Sequence, residues 1–216
     1  NYMKTLLMFG DSWAAGAELS DDEKPFGKIL AESNNLIYKD FSLGGCSNPK
    51  MLLQLNDAIE KNDHEDSIAI FFLTSYTRII NWRDIAKSTI NAAGLDDIDK
   101  NYAKYFYTDE AGHFNTVQTI LSLQKICSKY NIKDFYVPGW LEFKLDFPGI
   151  DLNKIFNKGK GNIATAIGMP KFGNEITEEH KKHNLIHPKN WHPNQKAHQL
   201  IADRLQNWIF TNNSSR

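Results

Sequence analysis

The sequence predicts an α/β fold: a mostly parallel sheet with helices on both faces. Four short apolar runs are bounded by turn residues, as buried parallel strands are. Helical patterns with spacings of three and four residues fall between them. Two chemistry-bearing signals stand at opposite ends of the chain. Gly10-Asp11-Ser12 closes the first apolar run, and Trp191-His192-Pro193-Asn194 precedes the last helical pattern. In a parallel sheet both can reach the edge formed by the carboxyl ends of the strands, where sites collect.

Thr5 to Phe9 is the first expected strand. Pro25 then suits the first turn of a helix carrying Phe26, Ile29, Leu30 and Ser33. Leu36 to Leu43 is the second strand. A helix follows Pro49, with Met51, Leu52, Leu55, Ala58 and Ile59 on one face. Ser67 to Leu73 is the third strand, and the longest apolar stripe runs from Phe114 to Cys127. Asp134 to Val137 is the fourth strand. Pro193 is expected to open the final helix, which carries Ala197, Leu200, Ile201, Leu205, Trp208 and Ile209. Two stretches depart from this alternation. Residues 81–112 are polar and rich in Tyr, Asp and Lys; residues 141–189 are rich in Gly and Asn. Both follow strand ends, so they are expected as insertions walling or covering a site within a single domain spanning 1–216.

The bulk numbers exclude several classes. The 216 residues suffice for one substantial core, with 41% hydrophobic and 24% charged residues and a net charge of −1. Near-neutrality gives no electrostatic reason to expect nucleic acid or an anionic membrane as partner. No apolar run is long enough for a membrane span or for the core of a secretory signal. Asn1 and Tyr2, ahead of Met3, are left out of the fold reading. Two cysteines, Cys46 and Cys127, make no disulfide framework. The expected location is cytoplasmic, or released without a signal peptide. The sequence sets no oligomeric state.

A serine hydroxyl becomes a nucleophile when a base takes its proton and donors hold the oxyanion that forms. Gly10 lets the chain turn sharply off the strand, and Ser12 then begins the next segment with its own N–H available. Alone, Asp11-Ser12 also reads as a turn with a helix cap. His192, on a turn fixed by Pro193, can accept the proton and return it to a leaving group.

With these residues in place, the chain resembles the SGNH (GDSL-like) hydrolase family, whose fold is a flavodoxin-like three-layer α/β/α sandwich. The similarity spans nearly the whole chain, but the motifs are short. Phe9-Gly10-Asp11-Ser12 is similar to the nucleophile block, with Trp13 where leucine is commoner. The resemblance makes Ser12 the nucleophile and its N–H an oxyanion donor. Ser42-Leu43-Gly44-Gly45-Cys46-Ser47-Asn48 resembles the second block, which implies a second N–H donor from Gly45, with Gly44 the alternative. The histidine of the last block maps onto His192.

Two departures matter. The family's third block carries an asparagine as third oxyanion donor. Here the strand runs into Leu73-Thr74-Ser75-Tyr76-Thr77-Arg78. Thr74 or Ser75 is the candidate donor instead, and Arg78, with Asp11, the candidate substrate-binding pair. The family also places an aspartate two or three residues before the histidine, where this chain has Lys189 and Asn190. The expectation is therefore a Ser12–His192 dyad assisted at best by Asn190, by a backbone carbonyl, or by a distant acid such as Asp146 or Asp151.

Other signals carry less. His180, His183, His187 and His192, near Glu178 and Glu179, lack a tetrahedral ligand set, so no metal and no cofactor are expected. Cys46 reads as a buried thiol rather than a nucleophile. Tyr102, Tyr105, Phe106 and Tyr107, and Trp140, Phe143 and Phe147, line a cleft or pack the insertions. The implied activity is hydrolysis of acyl or acetyl esters on small molecules, carbohydrates or lipids. The alternatives are a binding module that keeps the fold, and a metal-dependent hydrolase using the histidines.

Overall fold

The computed structural model describes residues 4–61, 63–81, 89–94, 96–169, 178, 182–187 and 191–211. Its elements, in chain order, begin with β1 (Thr5–Phe9), α1 (Ser12–Ala15), α2 (Phe26–Ser33), β2 (Ile37–Asp40) and α3 (Lys50–Glu60). Next come β3 (Ser67–Leu73), β4 (Arg78–Ile80), β5 (Thr89–Asn91), α4 (Asp97–Tyr105) and α5 (Asp109–Lys129). The series closes with β6 (Lys133–Pro138), α6 (Ile163–Ala166) and α7 (Gln195–Leu205), and a π-helical turn over Gln206–Thr211 follows directly.

All five residues of β1 and all seven of β3 are buried, which is why those segments read as continuous apolar runs. The sheet order is β2-β1-β3-β6 and every pairing is parallel. Phe9 lies opposite Phe71, and Leu73 opposite Pro138, so the strand ends form one edge. Alternate side chains divide the core in two. Leu6, Met8, Ile70, Phe72 and Val137 pack under α2, α6 and α7. Leu7, Phe9, Ala69, Phe71 and Tyr136 pack under α3 and α5. The arrangement is a three-layer α/β/α sandwich. Each fully buried Leu or Phe contributes about 2 kcal/mol to it.

The boundaries differ from the sequence reading in instructive ways. The second strand, expected from Leu36 to Leu43, covers only Ile37–Asp40. It is the sheet's edge, half exposed, with Ile37 at 41%. Beyond it the chain still bonds to the end of β1, through Phe41 N–H to Met8 O (2.8 Å) and Leu43 N–H to Gly10 O (3.0 Å). The long helix begins at Asp109, inside the expected insertion, because Thr108 caps it by accepting from Ala111 N–H. Pro193 does not open the last helix. Asn194 caps it, accepting from Ala197 N–H at 3.1 Å, while Pro193 pairs with Ile186 in an antiparallel bridge. The polar insertion supplies β5, which pairs antiparallel with β4 just ahead of it, Arg78 lying opposite Asn91.

Segments far apart in the chain are joined across α2 and α7. Lys24 N–H donates to Gln195 Oε1 at 2.7 Å, and Phe26 N–H to His198 Nδ1 at 3.1 Å. Asn34 and Gln206 exchange reciprocal amide hydrogen bonds at 2.6 and 3.1 Å.

His198 is fully buried, and burial, reinforced by the charges of His187 and His192, lowers its pKa to about 4. The unfolded chain takes up that proton near 6.5, the folded chain only near 4. Stability from the neutral ring is therefore complete above pH 6.5 and lost as pH falls toward 4, by up to about 3 kcal/mol. Urea denaturation between pH 7 and 4 checks this. His198→Asn, which keeps an acceptor for Phe26 N–H, should flatten the profile in that window.

Candidate active site

Gly10 ends β1 where a Cβ would meet Ala14 Cβ at 2.6 Å and Phe72 Cβ at 2.9 Å, so only glycine fits the close turn. Asp11 then caps α1: its Oδ1 accepts from Trp13 N–H at 3.1 Å. Its other oxygen, Oδ2, accepts from Thr74 Oγ1 at 2.7 Å and Arg78 Nη1 at 3.0 Å. The same Nη1 donates to Thr74 Oγ1 (2.8 Å) and Cys46 O (3.4 Å). Burial pushes the Asp11 carboxyl up from its ordinary range, and the Arg78 guanidinium, the Thr74 hydroxyl and the Trp13 N–H draw it back. Asn48 braces the same corner, accepting from Thr74 N–H at 2.8 Å and donating to Thr74 O at 3.1 Å.

This clamp corrects two expectations, for Asp11 and Thr74. Asp11 has no exposed surface and cannot meet a substrate. Thr74 is buried, and its one hydroxyl hydrogen goes to Asp11, so it is no oxyanion donor. Arg78 is a partner of a buried carboxylate, 5.9 Å from the Trp140 ring, with part of its side chain still facing the cleft.

That cleft has a volume of about 810 Å³, and Ser12, Ser75, Arg78, Asn91, Trp140 and His192 line it. Ser12 and His192, remote in sequence, thus face one space. They make no hydrogen bond to each other, and the Ser12 N–H and hydroxyl have no partner among the described residues. The His192 backbone is fixed by its carbonyl, which accepts from His187 N–H at 2.8 Å. Its ring Nδ1 lies 3.0 Å from Glu18 Oε2. An ionised carboxylate only accepts, so Nδ1 carries a proton, and in the neutral ring Nε2 is the nitrogen left with a lone pair.

Glu18 is the residue that the sequence reading missed. It lies six positions after Ser12, in the loop leaving α1, with φ of 69°. A non-glycine residue held there costs on the order of 1 kcal/mol, a cost that recurs at functional sites. No local motif marks it, because acid and histidine are separated by 174 positions. Asn190, expected to orient the histidine, lies outside the described residues, as does His180.

The remaining candidates fall as follows. Gly45 has φ of 71° and open space around it; its N–H has no partner among the described residues, and it is not part of the cleft lining. Ser75 lines the cleft, but its hydroxyl is committed. Thr77 Oγ1 gives its hydrogen to Asn91 Oδ1 (2.7 Å), so Ser75 must donate to Thr77 across 2.7 Å. The Cys46 thiol is buried and its pKa is pushed up to about 12, by burial first and then by the Asp11 charge, which makes it a poor nucleophile. Trp140 packs on Trp13, the rings 4.9 Å apart and tilted by 37°, and walls the cleft, whereas Phe143 packs on Tyr76. Among the described residues no group of three or more His, Cys, Asp or Glu is placed to hold a metal, and no helix is long and apolar enough to cross a membrane.

Solved structures match this architecture across almost its full length. A psychrotrophic esterase from a Pseudoalteromonas species, inhibited by monoethylphosphonate, aligns with a TM-score of 0.53 at 15% identity, covering 98% of this chain and 100% of that one. A member of the lipolytic G-D-S-L family from Veillonella parvula aligns at 0.52 and 13% identity, covering 96% and 98%. The chain has the SGNH-hydrolase fold. An acetyl xylan esterase from Butyrivibrio proteoclasticus aligns at 0.54 and 16% identity, covering 99% of this chain and 65% of that one. No protein-family model and no curated protein matches the sequence.

Removing Asp11 tests the clamp. Asp11→Ala leaves the Arg78 guanidinium without its buried counter-charge and α1 without its cap, and should destabilise the protein by about 3 kcal/mol. Equilibrium urea unfolding measures it; a loss below about 1 kcal/mol would show that the pair adds little.

Proposed function

We propose that this chain is a serine esterase that cleaves acyl or acetyl esters, on carbohydrate or lipid carriers, with no cofactor. The observation that carries the reading is the shared cleft of Ser12 and His192, with the far nitrogen of that imidazole held by Glu18. Catalytic hydrogen bonds are often long before substrate arrives, so the open Ser12–His192 gap is compatible with this role. The esterases sharing the fold, one of them an acetyl xylan esterase, support the substrate class.

In this reading the Ser12 oxygen attacks the ester carbonyl carbon while His192 Nε2 takes its proton. The carbonyl oxygen becomes an oxyanion, held by the Ser12 N–H and, after approach of substrate, the Gly45 N–H. Collapse of the adduct expels the alcohol, which receives the proton from His192 and leaves an acyl group on Ser12. Water, deprotonated by the same nitrogen, then releases the acid and restores the serine. Glu18 keeps Nδ1 protonated and stabilises the imidazolium in both halves.

A second reading is a binding module that keeps the fold without efficient chemistry. It draws on the absence of a Ser12–His192 hydrogen bond.

Two experiments decide. A fluorophosphonate should label Ser12, and p-nitrophenyl acetate should be turned over by the parent protein and not by Ser12→Ala. Equal rates in the two would exclude Ser12 as nucleophile, and no turnover by either would favour the binding module. Glu18→Gln should fold normally and lower kcat by about 10²-fold, less than the largest losses known for an amide in place of a triad acid, because the pair is partly exposed. Unchanged kcat would leave Glu18 without a catalytic role.

A further inference from the structure

We infer that the side-chain amide of Asn91 is the third oxyanion donor of this cleft, supplied by the β4–β5 insertion in place of the end of β3. The inference rests on the reading of Ser12 as nucleophile. It follows from where each hydrogen at this edge is committed.

Asn91 is fixed at several points. Its backbone N–H donates to Asp99 Oδ1 at 2.8 Å, and its residue pairs with Arg78 across the two-stranded sheet. Which end of its amide carries oxygen is decided by a backbone donor. Ala93 N–H, which can only donate, points at it from 3.1 Å, so that atom is Oδ1. Thr77 Oγ1 therefore also donates to Oδ1, and Ser75 donates to Thr77. Hydrogens thus run one way, from Ser75 through Thr77 to Asn91, which polarises the amide and strengthens its N–H groups as donors. At the end of the chain stands Nδ2, with two hydrogens and no partner among the described residues.

Asn91 lines the same cleft as Ser12 and His192. The hydroxyls at this edge are otherwise engaged, the Thr74 hydrogen going to Asp11 and the Ser75 hydrogen to Thr77, and Arg78 gives its Nη1 to Asp11, Thr74 and Cys46 O. A neutral amide in the cleft wall suits charge that appears only as the carbonyl is attacked, because it can hold the developing oxyanion without binding an anionic ground state.

The test compares Asn91→Ala and Asn91→Asp, the second of which keeps the acceptor oxygen for Thr77 and Ala93 but has no donor. Both should lower kcat for p-nitrophenyl acetate by about 10²–10³-fold, with KM changed less than about threefold, as expected for a contact made only in the transition state. If Asn91→Ala keeps kcat within about threefold of the parent, the inference falls, whatever Asn91→Asp does through its added charge. A loss carried by KM alone overturns it too. A readout on the parent protein removes dependence on variant folding. When phenylboronic acid forms its tetrahedral adduct on Ser12, the Asn91 Nδ2 protons should move downfield in ¹⁵N–¹H spectra, and an unmoved pair overturns the inference. Ser12→Ala separates the two ideas: if it is inactive while both Asn91 variants retain turnover, only the assignment of Asn91 fails. If Ser12→Ala is as active as the parent, the esterase reading itself fails.

Discussion

The buried carboxylate of Asp11 is the constraint on which the site depends. A charge without exposed surface persists only when its oxygens are fully partnered, and three different segments meet that demand: α1 through Trp13 N–H, the end of β3 through Thr74, and β4 through Arg78. Because these partners converge on one side chain, the turn carrying Ser12, the exit of β3 and the start of the insertion are held in fixed relation. Asn48 extends the same fixation to the loop after β2 by gripping both backbone groups of Thr74. The residue that a motif reader assigns to substrate is thus the peg around which the cleft is arranged.

Much of the fold is legible in the residues because burial on both faces of a parallel sheet demands apolar runs. Thr5–Phe9 and Ser67–Leu73 match the strands to the residue. Legibility fades where only one face is buried. β2 lies at the edge, so an eight-residue expectation shrinks to four paired positions, and the apolar residues after it serve the turn rather than the ladder. Caps behave similarly. Thr108 and Asn194 start their helices through side-chain hydrogen bonds that no apolar periodicity records.

The site divides along the same line. Ser12 and His192 are readable because each sits at a junction with strong local punctuation, a glycine turn in one case and a His-Pro-Asn step in the other. Glu18 and Asn91 are not, since their significance is purely spatial. One faces a histidine 174 positions away; the other is oriented by a run of hydroxyls whose direction is known only once the backbone donor at Ala93 is placed. Thr74 shows the opposite failure: it has a suitable hydroxyl in a suitable place, and that hydroxyl is already spent.

The ties between residues 18–34 and 192–206 have a consequence for how such a chain is made. Synthesis runs from the amino end, so β1, α2 and Ser12 emerge early, yet the partners of Glu18, Lys24, Phe26 and Asn34 are His192, Gln195, His198 and Gln206. A nascent chain on the ribosome carries Glu18 with no imidazole to orient, and the layer that α2 begins to cover stays incomplete until α7 arrives. The pairing of Glu18 with His192 is thus withheld until the segment carrying that histidine has left the tunnel.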